Sequence, residues 1–168
     1  MLDLLLLITL AFCLFTDIKY KKIYNKILFP AIIIGISLNV FYYGLIGFIK
    51  SIEGFLLGLG LLILPFICGG IGAGDVKLLA AIGAIKGTTF VFYSFIYMGI
   101  VGGLISIGIL IYQKRLLKVL YELIKGLFIF ITSHCLIMPT VNNNPKNKFP
   151  YGIAIVIGTL ATYGLKVI

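Results

Sequence analysis

The stretch ILFPAIIIGISLNVFYYGLIG, residues 27–47, decides the fold class because it contains no charged residue along its whole length. About 20 apolar residues in a row are what a helix needs to cross the hydrocarbon core of a bilayer. The remainder of the 168-residue chain has the same character, with 61% hydrophobic and only 11% charged residues. A soluble domain of this size has no core that could bury several such runs. The composition therefore predicts an integral membrane protein.

Further apolar runs lie on both sides of this stretch. They occur at about 1–16, 51–68, 76–85, 88–112, 119–138 and 151–167, separated by polar or glycine-rich breaks. The first run is too short to span a bilayer, so its helix is expected to continue to about Tyr20. The runs together predict an all-α, polytopic membrane bundle of about six transmembrane helices, folded as a single membrane-embedded domain over residues 1–168.

The run at 119–138 is assigned differently from the others. Lys118, Glu122 and Lys125 share one helical face at its start, whereas the rest of the run is nearly uncharged. If the run crossed the membrane, the lysines of the loop at 142–148 would be external. We therefore expect an amphipathic helix that lies on the cytoplasmic side of the membrane.

Basic residues set the expected orientation. They cluster after the first apolar run (Lys19, Lys21, Lys22 and Lys26) and after the fifth (Lys114, Arg115 and Lys118). Loops rich in lysine and arginine remain in the cytoplasm. The formal net charge of +9 is thus accounted for by membrane topology, so nucleic-acid binding is not expected. The protein is predicted to lie in the plasma membrane as a multi-pass protein.

The cysteines indicate no metal site. Cys13, Cys68 and Cys135 are far apart, odd in number and set in apolar runs. Neither a metal knuckle nor a disulfide framework fits that spacing. We expect them to be small core residues, and we expect no metal and no cofactor.

Two of the five acidic residues have no ready structural explanation. Asp3 suits the outer membrane interface, Glu53 the first turn of a helix, and Glu122 a pair with a nearby lysine. Asp17 and Asp75, by contrast, are drawn inside the cytoplasmic boundary, because the runs beside them are too short to span the bilayer. Carboxyl groups at such depth are costly, face water-filled cavities and mark function.

The simpler interpretations of the two acids are structural. Asp17 could be a solvated residue at a helix end, and Asp75 could cap the helix that follows the glycines. Gly72 and Gly74 would permit irregular backbone beside a cavity. If the two carboxyls meet, repulsion and desolvation disfavour double ionisation, so the pair is expected to share one proton. One carboxyl then activates water and the other polarises a peptide carbonyl, which is the chemistry of an aspartic protease.

Three stretches together resemble a known family. DIKYKKIYN at 17–25, GAGDVKLL at 72–79 and FPYGIAI at 149–155 occur in this order over nearly the whole chain. They resemble the motifs of the type IV prepilin and preflagellin peptidases, membrane aspartic proteases of the GxGD type. The resemblance implies that Asp17 and Asp75 are the catalytic pair, with the active site facing the cytoplasm. It also implies a pilin-like or flagellin-like precursor as substrate, cut behind a short basic leader.

The chain departs from the family pattern at two places. Bifunctional prepilin peptidases carry paired CxxC motifs ahead of or within their first loop and also methylate the new amino terminus. The first loop here is about ten residues long and lacks cysteine, which predicts a peptidase-only form without methyltransferase activity. Ile153 also stands where relatives often have a second proline.

Several residues around the two acids are supporting candidates. Gly72, Gly74 and Pro150 belong to the motifs themselves, and Asn25 either hydrogen-bonds in the first loop or ends the turn before the second span. Lys77 could favour the charged form of Asp75, but we expect it instead to anchor lipid headgroups or to form a structural pair, because its charge would work against the shared proton. The lysines of the first loop would repel a basic leader, so we expect them to face lipid.

A rival interpretation keeps the same two acids. Asp17 and Asp75 could bind the ion of a small proton- or cation-coupled transporter, although no inverted repeat is present in the sequence. The sequence does not distinguish pilin, pseudopilin and flagellin substrates, and it does not indicate an oligomeric state.

Overall fold

A computed structural model describes residues 1–112, Tyr121 and residues 151–165 of the chain. Within these residues the regular structure is entirely helical: α1 is Leu2–Tyr20, α2 is Asn25–Ile67, α3 is Ala73–Lys86, α4 is Thr88–Tyr112 and α5 is Tyr151–Gly164. The predicted all-α fold is confirmed for this part of the chain. The predicted surface helix at 119–138, apart from Tyr121, and the motif residue Pro150 lie outside it.

Two of the described helices are long and apolar enough to cross a membrane. They are α2 over Asn25–Ile67 and α4 over Thr88–Ile109. The side chains on their outer faces are large and apolar, and Phe41 and Leu45 of α2 are about four-fifths exposed. Surfaces of this kind are stable against lipid and not against water. The helices therefore support a membrane protein.

Helix α1 ends at Tyr20, as the sequence predicts from the length that a helix needs to span a bilayer. It continues past the apolar run to Tyr20, and Lys21 closes it with a left-handed conformation at φ 50° and ψ 35°. The N–H of Lys21 donates to the carbonyl of Asp17 at 2.8 Å, so the last turn is capped within the backbone. Asp17 therefore sits in the last turn of a 19-residue helix.

Helix α2 contains a break, but not at the residues where the sequence predicts it. The apolar pattern predicts an interruption between residues 47 and 51, but the helix continues there and the non-helical residue is Gly44, at φ 61° and ψ −142°. Only glycine reaches that region without strain. A Cβ on Gly47 would lie 2.7 Å from the carbonyl carbon of Asn39, eight positions earlier. The two segments, 25–43 and 45–67, are thus folded back on one another.

Helix α3 is the buried centre of the bundle. From Asp75 to Ile85 every residue except Lys77 is buried. Glycines bring α2 and α3 into backbone contact, because a Cβ on Gly54 would lie 2.8 Å from the carbonyl carbon of Gly83 and one on Gly58 would lie 2.8 Å from Cα of Ala80. Asn39 donates to the carbonyls of Ala84 and Ile85 at 3.3 and 3.0 Å, which satisfies two acceptors at the end of α3. Close glycine contact replaces the hydrophobic effect as the packing device in lipid.

Helices α1 and α3 run antiparallel. Lys86 at the end of α3 forms an ion pair with Asp3 at the start of α1, while Asp17 and Asp75 line one cavity at the other end. The place of Asp3 at the outer membrane interface stays a prediction; its side chain is about half exposed, and Lys86 supplies an ion-pair partner. Helix α5 packs on both α1 and α3.

The chain forms two compact units. The first contains residues 1–102 together with α5, and it holds the core and both cavities considered below. The second begins at Gly103, and its described part includes the last turns of α4 as far as Tyr112.

Candidate active site

Asp17 and Asp75 line one cavity. It has a volume of about 370 Å³, and its other walls are residues 21–25 of the first loop together with Gly72 and Gly74. Both acids are buried, with 6% of Asp17 and 9% of Asp75 exposed. Two acids that are 58 positions apart in the sequence therefore share one polar site.

Asp75 is held by the start of its own helix. Gly72 is the N-cap of α3 with an extended backbone, and Asp75 is the third helical residue. The N–H of Gly72 donates to Oδ2 of Asp75 at 3.3 Å. A carboxylate in the first turn is also favoured by the helix dipole. Asp75 is thus not the N-cap residue that the simpler interpretation proposed, although it does satisfy one backbone donor there.

The glycine-rich segment between α2 and α3 determines how the chain turns into α3. Gly69 has φ 75°, which turns the chain after α2. The N–H of Gly70 donates to the carbonyl of Pro65 at 3.0 Å, which closes the end of α2. Gly74 lies so near the first loop that a Cβ would be 3.0 Å from Cβ of Ile23. The glycines therefore let the two motif segments approach one another.

Asp17 is held from the side by α5. A Cβ on Gly152 would lie 2.9 Å from Cγ of Asp17, and the backbone N–H of Gly152 faces the carboxylate. Oδ2 of Asp17 is buried and has no hydrogen-bond partner among the described residues. A buried carboxylate oxygen without a partner is costly. This oxygen is the carboxylate atom of Asp17 that lies nearest to Gly152.

The supporting candidates differ in their positions. Lys77 donates from Nζ to Oδ1 of Asn25 at 3.1 Å, so these two residues join α3 to the start of α2. Asn25 also lines the cavity, as do Gly72 and Gly74. Pro150 lies outside the described residues. The structure thus brings together the described residues that the sequence assigned to the site, which are Asp17, Asn25, Gly72, Gly74, Asp75 and Lys77.

Sequence reasoning missed five residues of the site, namely Gly152 and the cavity-lining Lys21, Lys22, Ile23 and Tyr24. Gly152 packs against Asp17. The only sequence feature that marks Gly152 is its position in the FPYGIAI motif, and that position does not predict the contact. Lys21 and Lys22 were expected to face lipid, yet both line the cavity. Their positions follow from the turn that Lys21 makes at the end of α1. A basic rim therefore lies beside the two acids.

The site suits acid–base chemistry by two carboxyl groups. In the described residues, no three His, Cys, Asp or Glu side chains are grouped as metal ligands. The two acids lie at one end of the bundle, where the last turn of α1 lies beside the first turn of α3.

Comparison with known proteins adds one finding. A family model described as the type IV leader peptidase family matches residues 4–107, which include both acids and most of the first four helices. No curated protein and no solved structure gives a significant match.

Proposed function

Because the chain belongs to the type IV leader peptidase family, we propose that it is an aspartic endopeptidase of the GxGD type with Asp17 and Asp75 as its catalytic pair. The observation that carries this proposal is the cavity that both buried carboxyls line. The structural interpretations explain each acid singly, but neither explains why the two should lie together. A membrane protein that buries two acids side by side accepts a large desolvation cost.

The proposed reaction uses one shared proton. The ionised carboxyl takes a proton from a water molecule, and the water oxygen attacks the peptide carbonyl carbon. The protonated carboxyl donates a hydrogen bond to the carbonyl oxygen and stabilises the negative charge that develops there. When the C–N bond breaks, the leaving amine receives a proton from the pair. The pair thus begins and ends with one proton between its two members.

The proposed substrate is a prepilin-like or preflagellin-like precursor. Its peptide bond would be cut on the cytoplasmic side, where a short basic leader meets a hydrophobic helix. A helical peptide bond must unwind before water can attack it, and unwinding costs least where the substrate leaves the hydrocarbon region. The position of the cavity at one end of the bundle fits this requirement.

The proposed topology has six crossings. They are α1, the two segments of α2 on either side of Gly44, and α3, α4 and α5. The segment 25–43 spans about 28 Å and the segment 45–67 about 34 Å, so each could cross alone. The 14 residues of α3 span only about 21 Å. Its ends therefore lie inside the membrane profile, and the cavity is recessed on the cytoplasmic side.

The proposed activity is limited to peptide cleavage. The cysteine-free first loop offers no CxxC region, so we propose no amino-terminal methylation. The family match gives no support to the cation-coupled transporter.

Co-expression with a leader-bearing precursor tests the proposal. A gel shift should show loss of the leader with the natural chain, and Asp17→Asn and Asp75→Asn should each leave the precursor uncut. Glu53→Gln serves as the matched control, because Glu53 is an exposed acid outside the cavity. It should cleave normally, and all three variants should be found in the membrane fraction. Cleavage by either aspartate variant would remove that residue from the mechanism.

A further inference from the structure

A second and larger cavity lies at the opposite end of the first unit. It has a volume of about 680 Å³, and its polar lining includes Asp3, Asn39, Tyr43, Lys50, Ser51 and Lys86. Because α1 and α3 are antiparallel, Asp3 and Lys86 are the far ends of the helices that carry Asp17 and Asp75. Neither the proposed peptidase chemistry nor the family match assigns this cavity a role.

The side chains that line the cavity carry one surplus positive charge. Lys86 is paired with Asp3 and lies 5.5 and 5.6 Å from the ring centroids of Phe90 and Tyr163. Lys50 has no ion-pair partner among the described residues. A cavity with two ammonium groups and one carboxylate at its wall attracts a single anionic charge.

Ser51 supplies an unused hydrogen-bond donor. Its side chain is only 1% exposed and lines the cavity. Its hydroxyl oxygen is without a hydrogen-bond partner in the part of the chain that the structure describes. Buried hydroxyl groups normally have a hydrogen-bond partner, so a hydroxyl without one beside a cavity indicates a polar ligand.

The residues around the cavity indicate that its ligand also has an apolar part. Leu2, Ile85 and Phe90 form part of the cavity wall, and the nearby turn of α2 exposes Phe41, Leu45 and Ile46. Tyr43 and Tyr163 stand at the cavity, and tyrosine is enriched at the depth of lipid headgroups. A charged head and an apolar tail are both accommodated.

We propose that this cavity binds the phosphodiester headgroup of an anionic phospholipid in the leaflet opposite the aspartate site. Lys50 contacts the phosphodiester, Ser51 donates a hydrogen bond to it, and the acyl chains lie along the exposed face of α2 near Gly44. The Asp3–Lys86 pair forms the floor and leaves the net charge matched to one phosphodiester. The bound lipid covers the point where the two segments of α2 meet α3.

Native mass spectrometry of the purified chain in an uncharged detergent tests this site. Phosphatidylglycerol is added in steps, and the affinity of the most tightly retained lipid is compared between variants. Lys50→Gln and Ser51→Ala should each weaken it by about five- to tenfold, the size of one charge-assisted contact. Lys26→Gln is the matched control, because Lys26 is an exposed lysine near the other end. It should leave the tight site unchanged.

Competition then identifies the source of the phosphodiester. Glycerophosphoglycerol, which has the same headgroup without acyl chains, should displace the lipid at least 100-fold less effectively, since it lacks the apolar contacts. Equal weakening by Lys26→Gln and Lys50→Gln would show general charge attraction and overturn the site. Displacement by glycerophosphoglycerol or inorganic phosphate at lipid-like concentrations would overturn the assignment to a lipid.

Discussion

At the scale of single residues, the two acids of the candidate site are held in different ways. Asp75 accepts a backbone N–H within its own helix turn, whereas Asp17 meets the backbone of another helix at Gly152. One is therefore positioned by local structure and the other by packing between helices. The site depends on α5 even though the family match ends before it.

Gly152→Ala tests that dependence. The new methyl group would lie 2.9 Å from Cγ of Asp17, so the carboxyl must move away from its place in the cavity. We expect kcat/KM for leader cleavage by the purified protein to fall about tenfold or more, because displacements of about 1 Å are costly in catalysis. Gly60→Ala is the control, since a Cβ there has nothing within 4 Å. Equal activities of the two variants would contradict a positioning role for Gly152.

The basic rim makes a separate prediction. Lys22 lines the cavity and repels a basic leader, so Lys22→Gln should raise kcat/KM roughly twofold at low salt. The gain should vanish at high salt, where exposed charges are screened. Cleavage assays across a salt series measure it, with Lys26→Gln as the lysine outside the cavity. A fall in activity with Lys22→Gln would instead assign Lys22 to substrate binding.

At the scale of elements, glycine determines how the helices meet. Gly54, Gly58 and Gly83 allow α2 and α3 to touch through their backbones, while Gly44 breaks α2 by its conformation alone. The two roles look the same in a sequence, because both appear as glycine within an apolar run. This is why the apolar pattern predicts the break at residues 47–51, whereas the need for a longer first helix correctly predicts the end of α1 at Tyr20.

Gly44→Ala isolates the conformational role. A Cβ at this position meets nothing within 4 Å, so the change acts only through the strained backbone. We expect a loss of about 1–3 kcal/mol in the free energy of unfolding. Unfolding in mixed micelles gives the value, and Gly99→Ala is the control because its site is open and helical. A neutral result for Gly44→Ala would mean that the break tolerates a side chain.

At the scale of the whole molecule, the two ends of the first unit carry different polar residues and different cavities. One end holds the acids and a basic first loop, and the other holds the Asp3–Lys86 pair and the larger cavity. The sequence could predict that Asp17 and Asp75 lie at the same end of the bundle, because run lengths and turn order place the end of α1 beside the start of α3. It could not predict their lateral distance, which depends on helix rotation and on the contacts of Gly54, Gly58 and Gly152.

Cysteine labelling tests the proposed sidedness. In a chain with Cys13, Cys68 and Cys135 changed to alanine, Lys26→Cys should react with a membrane-impermeant maleimide only after cells are opened. Lys50→Cys should react in intact cells, because the segment from 25 to 43 carries the chain across. Labelling of both from one side would contradict the crossing, and a reversed pattern would contradict the cytoplasmic site.

The central claim is that Asp17 and Asp75 act together on one peptide bond. Single-turnover cleavage of a leader-bearing precursor by purified Asp17→Asn, Asp75→Asn and the double variant tests it most directly. Each single change should slow cleavage by about 10³-fold or more, and the double variant should be no slower than either, since groups that act as a unit do not add. Losses that multiply in the double variant, or cleavage at the natural rate by either single variant, would contradict the claim.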